Sequence, residues 1–239
     1  MPHKTYNLEE IAGYLHQSVS DIEQLVHEKE IPCSLQGKRL VFRRKEVDAW
    51  ANQRVMGMNT EKLSAFHKKT TGRAHDLSLG HVIISELLRP ACLEPLLPAK
   101  TKPSLIRSMV ELAGKSGCVN YADELHESIL AREKLGSTAM AGGFALLHTE
   151  YHDSFMFEES FIALARCAQP IAFSSPDGQL TDVFFMLCCQ DERIHLHVLA
   201  RLCMLCQQTS MLLELRDCTT SEEMRRIIMD KEEELIRKT

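Results

Sequence analysis

The residue types that could do chemistry in this chain cluster between Arg132 and His148. A helix end, a glycine-bearing loop and a short apolar strand precede His148, so the strand would present the imidazole at its tip. Imidazole is a neutral nucleophile near pH 7 and can accept a phosphoryl group, while the charged fork of Arg132 can bind one. The same spacing also fits a polar cap at a strand end and a solvated cation at a helix end. These residues define a candidate site and leave its chemistry open.

Length and composition are those of an ordinary globular protein. The chain has 239 residues, of which 44% are hydrophobic and 26% charged, and its net charge is −5. We therefore expect one large or two small domains, and no binding of nucleic acid or membranes through overall charge. No apolar run is long enough to span a bilayer, the first residues lack a signal-peptide core, and nine cysteines fit reduced, buried thiols. We expect a cytoplasmic protein without membrane insertion.

The first fifth of the chain predicts two short helices joined by a tight turn, then a hairpin and a third helix. Apolar residues three and four positions apart mark both short helices, with Asn7 and Ser18 as N-caps. Gly37 supplies the hairpin turn, and the third helix places Val47 and Trp50 inward. This order of elements is a helix-turn-helix followed by a wing.

This segment resembles the winged helix-turn-helix of the excisionase, MerR-like family. The residues that meet the family pattern are Leu8, Ala12, Leu15, Glu30, Ile31, Pro32, Gly37, Arg39, Val47 and Trp50. The resemblance implies binding to double-stranded DNA, by analogy as a homodimer, and the candidate contacts are Ser20, Gln24, Lys38, Arg39, Arg43 and Arg44. The second helix also carries Asp21 and Glu23, which phosphates repel, so a helix-turn-helix kept for protein contacts is the alternative.

The remaining chain divides into a connector and a second domain. Residues 1–55 are the predicted helix-turn-helix domain, the polar and basic residues 56–80 a helical or flexible connector, and residues 81–239 the second domain. Strand-like apolar segments alternate there with amphipathic helices, which predicts an α/β domain. Thr220 and Glu223 have capping-box spacing at the start of a last helix, whose charged residues 230–238 indicate a solvated end.

The stretch from Arg132 to His148 resembles enzyme IIA domains of the fructose, mannitol and nitrogen class of the bacterial phosphotransferase system. That family commonly reads R-E-x-x-G-S-T-G-I-G-x-G-I-A-I-P-H, and the residues that match in register are Arg132, Glu133, Gly136, Ser137, Thr138, Gly143, Ala145 and His148. The resemblance continues along the second domain and implies a mixed-sheet enzyme IIA (type 2) domain flanked by helices. Fusion to a helix-turn-helix favours the nitrogen-regulatory branch over sugar uptake.

The resemblance implies roles for three residues. His148 falls on the phosphorylated histidine, Arg132 on the active-site arginine, and His195 on a second histidine that opens a helix. Such a domain accepts a phosphoryl group from an HPr-like phosphocarrier protein and is a phosphohistidine carrier rather than a free-standing metabolic enzyme. Positioning and charge compensation are what phosphoryl transfer requires. We expect a regulatory phosphocarrier that couples phosphorylation to DNA binding or to regulatory protein targets.

The segment also departs from the family pattern. Ala139 and Ala141 replace glycines, which makes a positive-φ backbone less available there, and Leu147 replaces a proline. Glu150 and Asp153 follow closely and would repel a phosphoryl group. The alternative is therefore a DNA-binding or protein-docking transcriptional regulator whose IIA-like domain no longer transfers phosphate. Ser137 and Thr138 either donate hydrogen bonds to the phosphoryl group or only shape the loop.

Metal-ligand residue types elsewhere give no site. Cys203 and Cys206 lie in an apolar segment without a second pair, so we expect no zinc. His67 has no ligand residue at useful spacing, and His197 points to another side of its helix than His195. We expect neither a metal nor a cofactor.

Overall fold

The structure is a computed structural model that describes residues 5–15, 17–37, 39–71, 83–151 and 155–238. Its elements in chain order are β1 (Thr5–Tyr6), α1 (Leu8–Tyr14), α2 (Val19–His27), β2 (Ser34–Gln36), β3 (Arg39–Arg43), α3 (Arg44–Met56), α4 (Thr60–Thr71), α5 (Ile84–Leu87), β4 (Leu88–Leu97), α6 (Lys102–Gly114), α7 (Ala122–Lys134), β5 (Ala139–Met140), β6 (Phe144–His148), β7 (Phe161–Ile171), β8 (Thr181–Cys188), α8 (Glu192–Gln208), α9 (Met211–Asp217) and α10 (Ser221–Arg237).

The N-terminal helices begin at the residues that the sequence predicts as N-caps. The side chains of Asn7 and Ser18 accept hydrogen bonds from backbone N–H groups in the first turns of α1 and α2, and Glu10 and Asp21 return the bond to the cap N–H. Gly37, with a φ of +66°, makes the turn between β2 and β3, and β1 pairs with the other side of β3. The predicted helix-turn-helix with a wing is confirmed.

A five-stranded mixed sheet in the order β4-β7-β8-β6-β5 forms the centre of the second domain. β4 is parallel to β7 and β6 to β8, whereas the β7–β8 and β5–β6 pairs are antiparallel. All of β6 and nearly all of β8 is buried, as their apolar sequences require. The predicted α/β class with a mixed sheet is confirmed.

Helices cover both faces of this sheet. α6 and α7 pack on the face of Ala145, Leu147 and Phe184, whereas the face of Leu146 and Phe185 packs with α8 and α10. Side chains alternate along a strand, so the side chain of His148 points to the same face as that of Leu146. The tip of β6 therefore directs the imidazole toward α8.

Two strands extend beyond the segments that their apolar residues mark. β4 begins at Leu88, four residues before the apolar segment that starts at Cys92. β7 runs through Pro170 to Ile171, and its pairing with β8 shifts register between Arg166 and Ile171. A proline needs no ladder partner for its nitrogen at such an irregularity, so the strand continues through it. Phe173 lies beyond the strand.

The sequence indicated a solvated end for the last helix, but one charged residue of this end is buried. Glu232 is fully buried and accepts hydrogen bonds from the backbone N–H groups of Ile83, Ile84 and Ser85 at 2.8 to 2.9 Å. A carboxylate satisfies the free N–H groups at a helix start, here that of α5. This single residue ties α10 to the beginning of the second domain.

The helix-turn-helix and the second domain share an interface. α3 and α4 both pack on α8, and the apolar residues of the helix-turn-helix join those on the α8 side of the sheet in one continuous cluster. Leu63 and His67 of α4 are fully buried there. Residues 72–82, which include the end of the predicted connector at residue 80, lie outside the described residues. Among the described residues, no helix is both long and apolar enough to cross a bilayer.

Candidate functional site

Arg132 and His148 are joined by a direct hydrogen bond. The Nε–H of Arg132, in the last turn of α7, donates to Nε2 of His148 at 2.9 Å. Nδ1 of His148 lies 2.8 Å from the carbonyl oxygen of Leu146, which can only accept, so the ring proton is on Nδ1. The Nε2 lone pair is therefore the nucleophilic position, and Arg132 lies directly in front of it.

Burial sets the electrostatics of this pair. His148 is fully buried and Arg132 is 5% exposed. Burial lowers the pKa of the Arg132 guanidinium, and the neighbouring carboxylate of Glu133 acts against that shift. A second bond, from Arg132 Nη1 to the carbonyl oxygen of Gly136 at 2.9 Å, fixes the plane of the fork.

The loop after α7 is held by its own side chains. Glu133 accepts hydrogen bonds from the hydroxyl and the backbone N–H of Thr138. It also forms an ion pair with Lys102. The hydroxyl of Ser137 donates to the carbonyl oxygen of Phe173. Both hydroxyls are thus committed to protein acceptors, which matches the loop-shaping alternative for Ser137 and Thr138.

The glycines that this loop requires are present. Gly136, Gly142 and Gly143 have φ values of +151°, +96° and +82°, whereas neither Ala139 nor Ala141 has a positive φ. The two alanine replacements therefore fall where the backbone needs no glycine, contrary to the expectation from the family pattern. Leu147, in the place of the proline, is a buried residue of β6.

His195 lies beside His148, as the sequence predicts. The two ring centroids are 4.9 Å apart, and His195 is fully buried in the first turn of α8, which Asp191 caps. Its Nε2 donates to Oδ1 of Asn52, 2.9 Å away on α3. The helix-turn-helix thus reaches into the site, and Asn52 is a site residue that the sequence analysis missed. Nothing in the sequence marks it, because a polar residue in a charged helix indicates a solvated face.

Two buried carboxylates lie on the helices that carry this contact. Asp48, 1% exposed, is one turn before Asn52 on α3, and Glu192, 4% exposed, is one turn before His195 on α8. The hydroxyl of Tyr14 donates to Oδ1 of Asp48 at 2.7 Å. Burial raises the pKa of this hydroxyl far above its usual value and the two carboxylates raise it further, so it stays a donor.

The basic residues after the wing face partners within the chain. Arg44 lies 3.6 Å from Oδ2 of Asp48 and over the ring of Tyr14, and Lys45 lies 3.3 Å from Glu150. Lys45 therefore compensates one of the two acidic residues expected to repel a phosphoryl group. The other, Asp153, is outside the described residues.

The six residues predicted to contact DNA differ in their exposure. Ser20, Gln24 and Arg39 are exposed, on α2 and on the wing strand β3. Arg43 is exposed and pairs with Glu46 at 2.9 Å, whereas Arg44 turns toward the buried Asp48. Lys38 lies outside the described residues. Four of the six predicted contacts are therefore described as exposed.

A groove of about 330 Å³ opens between α3 and the loop after α7. Gln53 and Met56 line it on the α3 side, and Arg132, Leu135 and Ser174 line it on the other. It leads from solvent to the guanidinium that contacts His148.

The residue types considered for metal binding belong to the core. Burial raises the pKa of the Cys203 thiol to about 12 and that of Cys206 well above its usual value. His197 faces away from His195 and stacks on His67, with ring centroids 4.3 Å apart. Within the described ranges, no group of three histidine, cysteine or acidic residues is arranged to hold a metal ion.

Comparison with known proteins identifies the family of each part of the chain. The family described as "Phosphoenolpyruvate-dependent sugar phosphotransferase system, EIIA 2" matches residues 86–231, and a helix-turn-helix domain family matches residues 5–55. The nitrogen regulatory protein of Bradyrhizobium diazoefficiens is 34% identical over 137 residues, which are 56% of this chain and 86% of the relative. That of Escherichia coli is 27% identical over 151 residues, 62% of this chain and 91% of the relative.

Solved structures show the same fold. Nitrogen regulatory protein IIA-Ntr from Neisseria meningitidis superimposes with a TM-score of 0.55 and 27% identity, over 61% of this chain and 98% of that one. IIA mannitol from Escherichia coli gives a TM-score of 0.52 at 18% identity, over 59% and 98% of the two chains, and shows the fold alone. The chain therefore belongs to the EIIA type 2 family of the phosphoenolpyruvate-dependent phosphotransferase system, with a helix-turn-helix domain preceding a domain similar to the nitrogen regulatory proteins.

Proposed function

We propose that this protein is a regulatory phosphocarrier. His148 accepts a phosphoryl group from an HPr-like donor, and its phosphorylation state changes what the helix-turn-helix binds, whether DNA or a regulatory protein. The observation that carries the proposal is the bond from Arg132 Nε to His148 Nε2, with the ring proton held on Nδ1. The domain boundaries after residues 55 and 80 and the cytoplasmic location stay predictions.

The site residues have distinct parts in this transfer. The Nε2 lone pair of His148 forms the new P–N bond while the donor's P–N bond breaks and its electron pair returns to the donor nitrogen. The ring gains positive charge, which the Nδ1–H bond to the Leu146 carbonyl stabilises. Arg132 must leave Nε2 as the phosphorus approaches, and its guanidinium then binds a phosphoryl oxygen. His195 supplies a second N–H donor at the same group.

Intact-mass analysis tests the proposal. The protein is incubated with phosphoenolpyruvate, enzyme I and HPr, and we expect the mass gain of one phosphate. The gain should vanish in His148→Ala and remain in His126→Ala, a matched change on α7. Absence of the gain, with a cascade that labels another EIIA protein in parallel, would show that the site does not accept phosphate.

A regulator without phosphoryl transfer is the second candidate. It is favoured by the complete burial of His148 beneath Arg132 and α3. For this candidate, DNA binding falls with rising salt, weakens in Arg39→Ala and Arg43→Ala, and does not respond to the phosphotransferase cascade. DNA binding by a protein that gains no phosphate from an active cascade would favour it over the phosphocarrier.

A further inference from the structure

Three residues of α3 form a polar stripe over the phosphoacceptor site. Lys45, Asp48 and Asn52 follow a spacing of three and four, so they lie on one face of the helix. Lys45 pairs with Glu150, two residues after His148, and Asn52 binds His195. The stripe therefore spans the site from the tip of β6 to the start of α8.

This stripe blocks the approach of a phosphoryl donor. His148, His195 and Asn52 are each at most 1% exposed. In a transfer between two proteins, the donor's phosphorus must come within about 3–3.5 Å of Nε2. A folded donor cannot bring it there while Arg132 occupies Nε2 and α3 covers the adjoining His195 through Asn52, so α3 must move before transfer.

α3 is held by apolar packing and by polar contacts to the second domain. Val47, Ala51 and Val55 belong to the apolar cluster shared with α8, whereas Asn52 bonds His195 and Lys45 pairs with Glu150. The polar contacts are the part that another partner can replace at little net cost. α4 remains fixed on α8 by Leu63 and His67, so α3 can tilt at Gly57, between α3 and α4, without separation of the whole interface.

A phosphoryl group on His148 competes with the stripe for the same donor and adds charge beside it. With its proton on Nε2, His195 has one N–H, which binds either Asn52 Oδ1 or a phosphoryl oxygen. The new group is an anion close to the helix turns that bear the buried carboxylates Asp48 and Glu192, and Arg44 already pairs with Asp48. Like charges at low dielectric repel strongly.

We propose that the EIIA face around His148 is the docking surface of the chain's own helix-turn-helix, and that phosphorylation of His148 releases it by taking the His195 N–H from Asn52. This inference rests on the phosphocarrier function proposed above. The unphosphorylated protein holds α3 seated, and the phosphorylated protein frees the stripe of α3 for a partner.

Hydrogen–deuterium exchange of the full-length protein tests the release. Phosphorylation by phosphoenolpyruvate, enzyme I and HPr should speed exchange in residues 44–56, whereas residues 102–114 of α6, on the far side of the sheet, should stay unchanged. In Asn52→Ala the exchange of residues 44–56 should be fast without phosphate. Phosphate on His148 with unchanged exchange in α3 would overturn the release and leave the phosphocarrier function intact.

The phosphorylation rate provides a second measurement. Lys45→Glu replaces the attraction to Glu150 by repulsion, so α3 should be seated for less of the time and phosphorylation should be about fivefold faster. The exchanged pair Lys45→Glu with Glu150→Lys restores the attraction and should return the rate to that of the wild type. Equal rates in all three proteins would overturn the blocking role of α3. No label in either the wild type or Lys45→Glu would refute the phosphocarrier function and the release together.

Discussion

At the scale of single residues, the site is a chain of hydrogen bonds that fixes where each proton lies. The Leu146 carbonyl places the His148 proton on Nδ1, and Arg132 occupies the side of Nε2. The motif predicted Arg132 and His148 because both lie in one short segment of local structure. Asn52 could not be predicted, because its partner His195 is 143 positions away and no periodicity encodes such a contact.

Arg132→Lys should slow phosphorylation of His148 by about a hundredfold, because an ammonium cannot replace a guanidinium that contacts both Nε2 and the Gly136 carbonyl. The measurement is the time course of the mass gain with phosphorylated HPr. Lys134→Ala, an exposed change in the same helix turn, is the control and should keep the wild-type rate. A wild-type rate in Arg132→Lys would show that the guanidinium does not bind the phosphoryl group.

At the scale of elements, the helix starts and the end of α10 show what a local sequence pattern can and cannot predict. Helix starts were predicted because capping residues lie within three positions of the N–H groups they bind. The burial of Glu232 was not, because its partners at Ile83 to Ser85 are about 150 residues earlier. Charge alone indicates solvent unless a distant helix start needs the carboxylate.

Gly143→Ala should destabilise the protein by about 1–3 kcal/mol. The residue has a φ of +82°, and an added Cβ would lie 2.7 Å from Arg216 Nη2 and 3.2 Å from the Leu180 carbonyl oxygen. Urea unfolding at constant pH measures the loss. Ala141→Gly, at a position without positive φ, is the comparison and should change the free energy of unfolding by about 1 kcal/mol or less. Equal effects at both positions would contradict the assignment of the strained backbone to Gly143.

At the scale of the whole molecule, α4 connects the two parts through a buried aromatic and basic cluster. His67 stacks on His197 and accepts a hydrogen bond from Arg201 Nε at 3.2 Å. Burial lowers the pKa of His67 to about 2, and the neighbouring His197 and Arg201 act in the same direction. The α4–α8 contact therefore exists with a neutral His67.

Acid should lower the free energy of unfolding, because His67 is neutral in the folded protein. Its pKa in the unfolded chain is about 6.5, so between that pH and about 2 the unfolded chain binds the extra proton. The free energy of unfolding should then fall below pH 6.5 by up to about 1.4 kcal/mol per pH unit. Urea midpoints at pH 7.5 and 5.5 measure this loss, which should be smaller in His67→Gln and unchanged in the exposed control His27→Gln. Parallel losses in all three proteins would assign the acid sensitivity elsewhere.

The hydrogen bond between Asn52 and His195 joins the helix-turn-helix to the phosphoacceptor site of the proposed mechanism. Under the release proposed above, any ligand that binds the helix-turn-helix only while α3 is seated must disfavour phosphorylation of His148 by the same factor by which phosphorylation weakens that ligand. Binding of a regulatory target therefore changes the fraction of His148 that is phosphorylated. The protein would then respond to the phosphotransferase system and also change how much phosphate that system holds.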